Sequence, residues 1–513
     1  MSEQTMTESI DVVRNRMKNK KSLRSTFGND FGEELESVLD GIEVEDVHSD
    51  SRRVGNGSLF VAIPGSRENG EKYAAEAVDR GASVVVTENE VLQLNGDVTK
   101  VCVSNARMAL AKIARRHNGC PDLDLSLVGV TGTNGKTTVT TLIRFLLEES
   151  ARPVGLIGTV RYHLGDREIP SFRTTPESSD LFPMLKSMLA AGCSEAVMEV
   201  SSHGIHQCRV YGLSLDITVF LNLSRDHLDY HSDMESYFHE KRKIFNGENG
   251  NLPRVAVING DCSYGKRLIE QLPPQVQILT FGTSEGCDFR ARDIEVGETE
   301  TRFILDSLSG THVVTSPLIG RFNVMNLLAS LAVIHARGKS VPDSLRKVGS
   351  FEGVDGRMES VSENNDFKVV VDYAHTPDAL RNALSILREC TPGKLHVVFG
   401  CGGDRDRGKR MEMTRVACAG ADQVWATSDN PRTESLNEIF QDMRKGISRG
   451  AKISFIEDRR RAISLALDGA GEGDCVLIAG KGHEPFQEVQ YTAVPFDDRK
   501  VARELLKVKR LSP

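Results

Sequence analysis

The chain has 513 residues, of which 39% are hydrophobic and 27% charged, a balance that fits a globular protein of roughly three domains. A net charge of −8 argues against general affinity for nucleic acid, and no apolar run is long enough to span a bilayer. The polar segment 1–30 lacks the apolar core of a secretion signal, and ten scattered cysteines with no Cys-x-x-Cys pair suit neither a disulfide framework nor a zinc site, so a cytoplasmic protein is expected.

Residues 40–105 alternate short strands (59–63, 82–87) with a helix at 71–80, and 106–117 reads as a helix leading onward. An apolar, β-prone run at 125–131 then feeds Gly132, Thr133, Asn134, Gly135, Lys136, Thr137 and Thr138, followed by a helical pattern over 139–149. A strand, a glycine loop and a helix in that order make a phosphate cradle. Backbone N–H groups and the positive helix end face the anion, Lys136 reaches the terminal phosphates, and the Thr137 hydroxyl can ligate Mg²⁺. The loop is shorter than the usual Walker pattern, with Val130 where a glycine is expected.

Further strands are expected at 195–200, 216–221 and 254–258, and then at 368–372, 395–399, 423–427, 452–456 and 474–479. Apolar runs alternating with helices predict parallel α/β sheets, the last one Rossmann-like. The fold class is therefore α/β in three domains: a small α/β N-terminal domain (1–105), a central P-loop parallel-sheet ATPase domain (106–354) and a C-terminal Rossmann-like domain (355–513).

The carboxyl ends of these strands are polar: Ser201-Ser202-His203, Asn222 to His231, Tyr373 to Asp378, Gly400 to Arg407, Ser428 to Arg432 and Gly480 to Glu484. Ligands of open α/β sheets bind at such ends, so the set predicts a site in a cleft between domains. Glu199 is a Mg²⁺ ligand or water-orienting carboxylate opposite Thr137, or else a strand-end carboxylate in a salt bridge. His227 either binds a metal ion or is solvated. Helix 233–245 carries Met234, Tyr237, Phe238 and Phe245 on its apolar face, and Lys241 falls on that face. An inward lysine either snorkels to water or, as a neutral amine, adds CO₂ to become a metal-binding carbamate.

These loops together resemble the Mur ligases, ATP-dependent amide-forming enzymes of peptidoglycan synthesis, from about Ser49 to about Arg503. The strings that carry the resemblance include Asp50-Ser51-Arg52, Gly132 to Thr138, Met198 to Gly204, Asn222 to His231, Asp372 to Leu380, Phe399 to Arg405, Asp429 to Arg432 and Gly480 to Glu484. The likeness is strongest to members that add the third amino acid, joining it to UDP-N-acetylmuramoyl-L-alanyl-D-glutamate. It implies that Ser49, Ser51, Ser66 and Arg67 hold the nucleotide sugar in the N-terminal domain. Thr174, Thr175, Ser201, Gln207 and Arg209 would hold the muramoyl-dipeptide. Asn323, Asn326, Arg357 and His375 would join the phosphate loop around ATP. Thr137, Glu199, His227 and carbamylated Lys241 would bind Mg²⁺, with Lys136, Lys241, His227 and Glu199 as the catalytic set.

Arg405, Asp429, Asn430, Pro431, Arg432, Gly480 and Glu484 would bind the incoming amino acid in the C-terminal domain. Asp-Asn-Pro-Arg resembles the signature for meso-diaminopimelate, whose far carboxylate a guanidinium grips and whose absence in lysine leaves an uncompensated repulsion. Glu484 can take the substrate ammonium. Alternatives are the L-lysine-adding ligase of the same family and a folylpolyglutamate synthase-like ligase. Arg173 before Thr174, and Ser66-Arg67, depart from the common family residues. The expected partners are small molecules, with no nucleic acid and no membrane insertion, and a monomer is expected.

Overall fold

The computed structural model describes residues 21–22, 43–65, 68–149, 152–228, 230–297, 300–361 and 366–511; Ser66 and Arg67 lie outside them. The chain forms two compact units interleaved in sequence, one from residues up to 132, 143–221 and 235–279, the other from 133–142, 222–234 and 280–513.

The first unit contains a four-stranded parallel sheet of β1 (Val47–His48), β2 (Ser58–Val61), β3 (Ala82–Thr87) and β4 (Thr99–Cys102), in that order. Both faces are covered, as a parallel sheet requires. Leu59, Val61, Val84 and Val86 pack with Ala109, Leu110 and Ile113 of α2 (Ala106–His117). Their neighbours Phe60 and Val85 meet Ala74 and Ala77 of α1 (Ala74–Asp79) on the other face. The helix expected at 71–80 is a 3₁₀ turn, Gly70–Tyr73, before α1 begins, because Asn69 Oδ1 captures the Glu71 N–H at 3.1 Å.

A second parallel array in this unit contains β5 (Ser126–Thr131), β6 (Val154–Ile157), β9 (Glu195–Glu199), β10 (Ile217–Phe220) and β11 (Val255–Asn259), in the order β6-β9-β5-β10-β11. Val130 is the penultimate residue of β5 and fully buried, so the strand continues where a longer phosphate loop would already turn. The loop begins only at Gly132, and Gly135 takes a left-handed φ of 90° before α3 (Lys136–Leu147). Strand β6 and the hairpin β7 (Arg161–His163) with β8 (Glu168–Pro170) have no counterpart among the expected strands. They are only three or four residues long, too short for a pattern to register. Helix α6 (Met234–Asn246) buries Tyr237, Phe238, Lys241 and Phe245, the face read from sequence.

Strand β12 (Gln277–Gly282) pairs in parallel with β13 (Phe289–Val296), and in the second unit β13, β14 (Thr301–Ser307) and β15 (Gly310–Ser316) form an antiparallel meander. None of these three strands was among those expected from the sequence. Phe289 and Ala291 of β13 are buried while Arg290, Arg292 and Asp293 are not, the alternation of a sheet with one wet face. The last sheet contains β16 (Glu359–Ser360), β17 (Lys368–Asp372), β18 (Leu395–Cys401), β19 (Gln423–Ser428), β20 (Ile453–Ile456) and β21 (Cys475–Ala479). Its order is β16-β17-β21-β18-β19-β20, parallel except for the edge strand β16. The final strand β21 thus inserts between β17 and β18, so the ends of β21, β18 and β19 are neighbours. A hairpin of β22 (Phe486–Val489) and β23 (Thr492–Pro495) follows β21. No helix among the described residues is long and apolar enough to cross a membrane, and all ten cysteines are free.

Candidate active site

Adjacent parallel strands lie ~4.8 Å apart, so the loops that leave neighbouring carboxyl ends meet. In the first unit the ends of β6 and β9 share such an edge. The buried Glu199 carboxylate takes Thr159 N at 2.7 Å on Oε1 and Thr159 Oγ1 at 2.9 Å on Oε2. Thr159 Oγ1 lies 3.0 Å from Thr174 Oγ1, and Thr175 Oγ1 lies 3.0 Å from both the Glu199 carbonyl and Ser201 Oγ. Arg209 donates from Nη1 to the Thr175 carbonyl (2.9 Å) and from Nη2 to Gln207 Oε1 (2.5 Å), while Glu177 faces its Nε at 3.0 Å. Thr174, Thr175, Glu199, Ser201, Gln207 and Arg209, separated by up to 35 positions in sequence, thus form one hydrogen-bonded cluster. Thr159 bridges it and went unnoticed in the sequence, where nothing marks that residue. The departing Arg173 points its Nη1 to Glu177 at 2.9 Å. Ser51 donates to Glu76 at 3.1 Å, and half-buried Ser49 lies two residues before it.

Lys241 is 1% exposed. Its Nζ donates to the Gly132 carbonyl at 3.0 Å and to Thr131 Oγ1 at 3.3 Å, with the Tyr237 ring 4.7 Å away. It does not snorkel. The inward side chain ends under the first residue of the phosphate loop.

In the second unit the rest of that loop is laced to the segment after β10. Asn222 Oδ1 accepts from the backbone N–H of Thr133 (3.1 Å) and Asn134 (2.9 Å), and its Nδ2 donates to the Asn134 carbonyl at 3.1 Å. Asn222 therefore positions the loop, a role the sequence did not reveal. Lys136 Nζ donates to the Thr133 carbonyl at 2.8 Å. Thr137 Oγ1 accepts from Arg357 Nη2 at 3.2 Å, and the Arg357 guanidinium stacks 4.6 Å from the Tyr373 ring centroid. Just before it, Gly356 (φ 65°) is packed so closely that a Cβ would stand 2.1 Å from the His483 nitrogen and 2.3 Å from the Gly482 carbonyl carbon. Half-buried His375 donates from Nδ1 to the Tyr373 carbonyl (2.9 Å), and desolvation and then the Lys409 cation push its pKa below the ordinary imidazole value. Asn326 Nδ2 donates to Asn323 Oδ1 at 3.0 Å in the first turns of helix Arg321–Ala336. His227 has a left-handed φ of 55°, and its Nε2 lies 3.4 Å from Asp226.

The ends of β18, β19 and β21 carry the last cluster. Asn430 Oδ1 accepts from Lys481 Nζ at 3.0 Å and from Glu488 N at 3.0 Å, which fixes its amide so that Nδ2 donates to Glu484 Oε2 at 3.1 Å. Lys481 is fully buried and bonds the same Glu484 oxygen at 3.0 Å. Among the described residues, Glu484 Oε1 accepts no hydrogen bond. Burial raises the Glu484 pKa and Asp429 adds to this, against the pull of Lys481. Gly480 (φ 116°) leaves no space for a side chain, since a Cβ would lie 2.7 Å from Asp429 Oδ2. Gly403 fits against the Pro431 carbonyl for the same reason. Arg432 donates from Nη1 to the Gly403 carbonyl at 2.8 Å and lies 2.7 Å from Glu488. Arg405 is exposed beside Gly402 and makes no hydrogen bond among the described residues.

Hard oxygen donors suit Mg²⁺, and the Thr137 hydroxyl and the Glu199 carboxylate are of that kind. Among the described residues no group of three His, Cys, Asp or Glu side chains converges on one point.

A phosphate loop on a parallel sheet, with a separate Rossmann-like sheet behind a cluster of charged loops, defines a nucleotide-using enzyme of the P-loop type. Three family models match in succession: the Mur ligase family, catalytic domain over 43–118, the Mur ligase middle domain over 130–334, and the Mur ligase, glutamate ligase domain over 356–482. The chain belongs to the Mur ligase family. It is 44% identical over 466 residues to the UDP-N-acetylmuramoyl-L-alanyl-D-glutamate--2,6-diaminopimelate ligase of Solibacter usitatus, covering 91% of this chain and 94% of that one. The protein of the same name from Listeria monocytogenes is 40% identical over 470 residues, 91% of this chain and 95% of the relative. A solved structure of a ligase of that name matches with a TM-score of 0.66 at 35% identity, covering 92% of this chain and 96% of the other.

Proposed function

We propose that this protein is an ATP-dependent ligase that adds meso-2,6-diaminopimelate to UDP-N-acetylmuramoyl-L-alanyl-D-glutamate in the cytoplasmic stage of peptidoglycan synthesis. In this reading residues 1–105 receive the nucleotide sugar, 106–354 bind ATP and 355–513 bind the incoming amino acid. The observation that carries the acceptor assignment is the Asn430, Arg432, Lys481 and Glu484 cluster. It carries a guanidinium and a carboxylate on loops that leave neighbouring strand ends, groups of the charge needed for a distal carboxylate and ammonium.

The reaction runs in two steps. The D-glutamyl γ-carboxylate attacks the ATP γ-phosphorus, releasing ADP and leaving an acyl phosphate. The diaminopimelate amine then attacks the acyl carbon, and inorganic phosphate leaves. Thr174, Thr175, Ser201, Gln207 and Arg209 orient the dipeptide, and Arg209 offsets its negative charge. Lys136 and the loop N–H groups, held in place by Asn222, take the triphosphate, and positioning with electrostatics carries the rate. Thr137, Glu199, His227 and carbamylated Lys241 would hold Mg²⁺, which when bound neutralises charge between carboxylate and triphosphate.

Phosphate release from ATP, measured with the nucleotide dipeptide and either meso-diaminopimelate or L-lysine, tests the reading. Release with diaminopimelate alone, and a product of matching mass, is expected. Release with lysine overturns the acceptor assignment, and release indifferent to both overturns the ligase reading.

A further inference from the structure

Strand β22 runs beside Ser428–Arg432 and bonds to four of its five residues. Gln487 Nε2 donates to Ser428 Oγ (3.2 Å) and to the Asp429 carbonyl (2.8 Å), and Glu488 N donates to Asn430 Oδ1 (3.0 Å). Arg432 N donates to the Glu488 carbonyl at 3.0 Å, and Gln490 N to the Arg432 carbonyl at 2.9 Å. These last two bonds clamp Arg432 in a left-handed conformation, φ 50°, that a side-chain-bearing residue seldom adopts without support. The hairpin itself is closed by two left-handed residues, Gln490 (φ 45°) and Tyr491 (φ 65°), the backbone pattern that matches strand twist in a tight hairpin.

The Arg432 side chain is fixed as well. Glu488 Oε2 lies 2.7 Å from Nε, and the Gly403 carbonyl takes Nη1. Ion-paired at Nε and hydrogen-bonded at Nη1, the guanidinium is restrained in orientation, and among the described residues Nη2 makes no hydrogen bond. We propose that Glu488 is a positioning residue for Arg432 and thereby a determinant of acceptor choice. This rests on the reading that Arg432 grips the acceptor's second carboxylate. A long arginine side chain loses rotamer freedom when it binds, and Glu488 removes that freedom beforehand. It also lowers the net positive charge around Arg432, so a simple anion gains little there and a carboxylate of matching geometry is preferred.

The test is steady-state kinetics on the full-length enzyme with the variants Glu488→Gln, Glu488→Ala and Glu488→Asp. Glu488→Gln should raise the KM for diaminopimelate roughly 10-fold, the effect of losing one close charge pair. The kcat and the KM values for ATP and nucleotide dipeptide should stay unchanged, preference over L-lysine should narrow, and Glu488→Asp should recover part of the loss. An unchanged or lowered diaminopimelate KM overturns the proposal, the latter because Glu488 would then compete with the substrate carboxylate. A parallel rise in all three KM values with a lowered melting temperature also overturns it, as general structural support. The unmutated enzyme is measured first: if it does not use diaminopimelate, the reading of Arg432 falls and this proposal with it, whereas a null effect of the variants leaves that reading intact.

Discussion

The Lys481 ammonium lies 3.0 Å from Glu484 Oε2 and is wholly withdrawn from solvent. A buried cation and a mostly buried carboxylate in contact form a pair in which removing one partner strands the other. Lys481→Met should cost about 3–5 kcal/mol of stability. It should also raise the acceptor KM, because Asn430 loses one of the two donors that orient its amide. Denaturant unfolding and acceptor titration on the same preparation measure the two effects, and an unshifted acceptor KM would reject the orienting role.

Glu484 also sets a pH dependence. Its folded pKa is raised above 4.5, chiefly by burial, so it takes up a proton at a higher pH than an ordinary glutamate. As pH falls through that raised value the carboxylate is neutralised and its attraction for an ammonium is lost, so the acceptor KM should climb on the acid side. The linkage to stability has the opposite sense. A raised carboxylate pKa favours the fold below the unfolded pKa, and this contribution disappears as pH rises through the folded value. A Glu484→Gln variant should flatten the acid limb of the acceptor KM profile.

Lys241 tests the metal side. Replacing it with methionine removes the group under Gly132 and should lower kcat by roughly 100-fold or more. Intact-protein mass spectrometry near neutrality, with and without bicarbonate, should find one added CO₂ on the parent chain and none on Lys241→Met. An unmodified parent whose activity ignores bicarbonate would reject the carbamate.

Asn222 offers a further probe. Asn222→Ala deprives the Thr133 and Asn134 N–H groups of their shared acceptor, an expected cost of about 1–3 kcal/mol. The ATP KM should rise while the acceptor KM stays constant. Equal KM values for ATP in both proteins would show that the loop orders itself without the amide.

A buried arginine supports the sheet beneath the acceptor loops. Arg459 and Asp498 are both fully buried and paired at 2.7 Å, and Arg459 also donates to the carbonyls of Ser428 (3.1 Å) and Ala479 (2.9 Å), at the ends of β19 and β21. Arg459→Met should lower stability by about 3–5 kcal/mol, measured by equilibrium unfolding. Full retention of stability would mean that the pair is replaceable by packing.

Most strands of the two parallel arrays were legible because they are buried on both faces and read as continuous apolar runs, as at Val369–Val371 and Val476–Ile478, whereas the equally buried but four-residue β6 was not. The meander at 289–316 was not, since half its side chains face water and its period competes with loop composition. The phosphate loop and the inward Lys241 were legible from spacing alone. Asn222, Thr159, Lys481 and Glu488 were not read as positioning groups, because their work is done on residues up to about 90 positions away, through backbone atoms or other side chains. Such partnerships depend on which strands become neighbours, and β21 enters the middle of its sheet only at the end of the chain.

The close fit of Gly356 against Gly482 and His483 joins two ends of the chemistry. Arg357, on one side of that contact, touches Thr137 of the phosphate loop, while Glu484, on the other, belongs to the acceptor cluster. Backbone pressed on backbone has no rotamer to absorb a shift, so a displacement of Arg357 would pass to the loop after β21 without slack. With Arg357 at the nucleotide and Glu484 at the acceptor, as proposed above, the two ligands would be coupled through this contact, and each would report on the other.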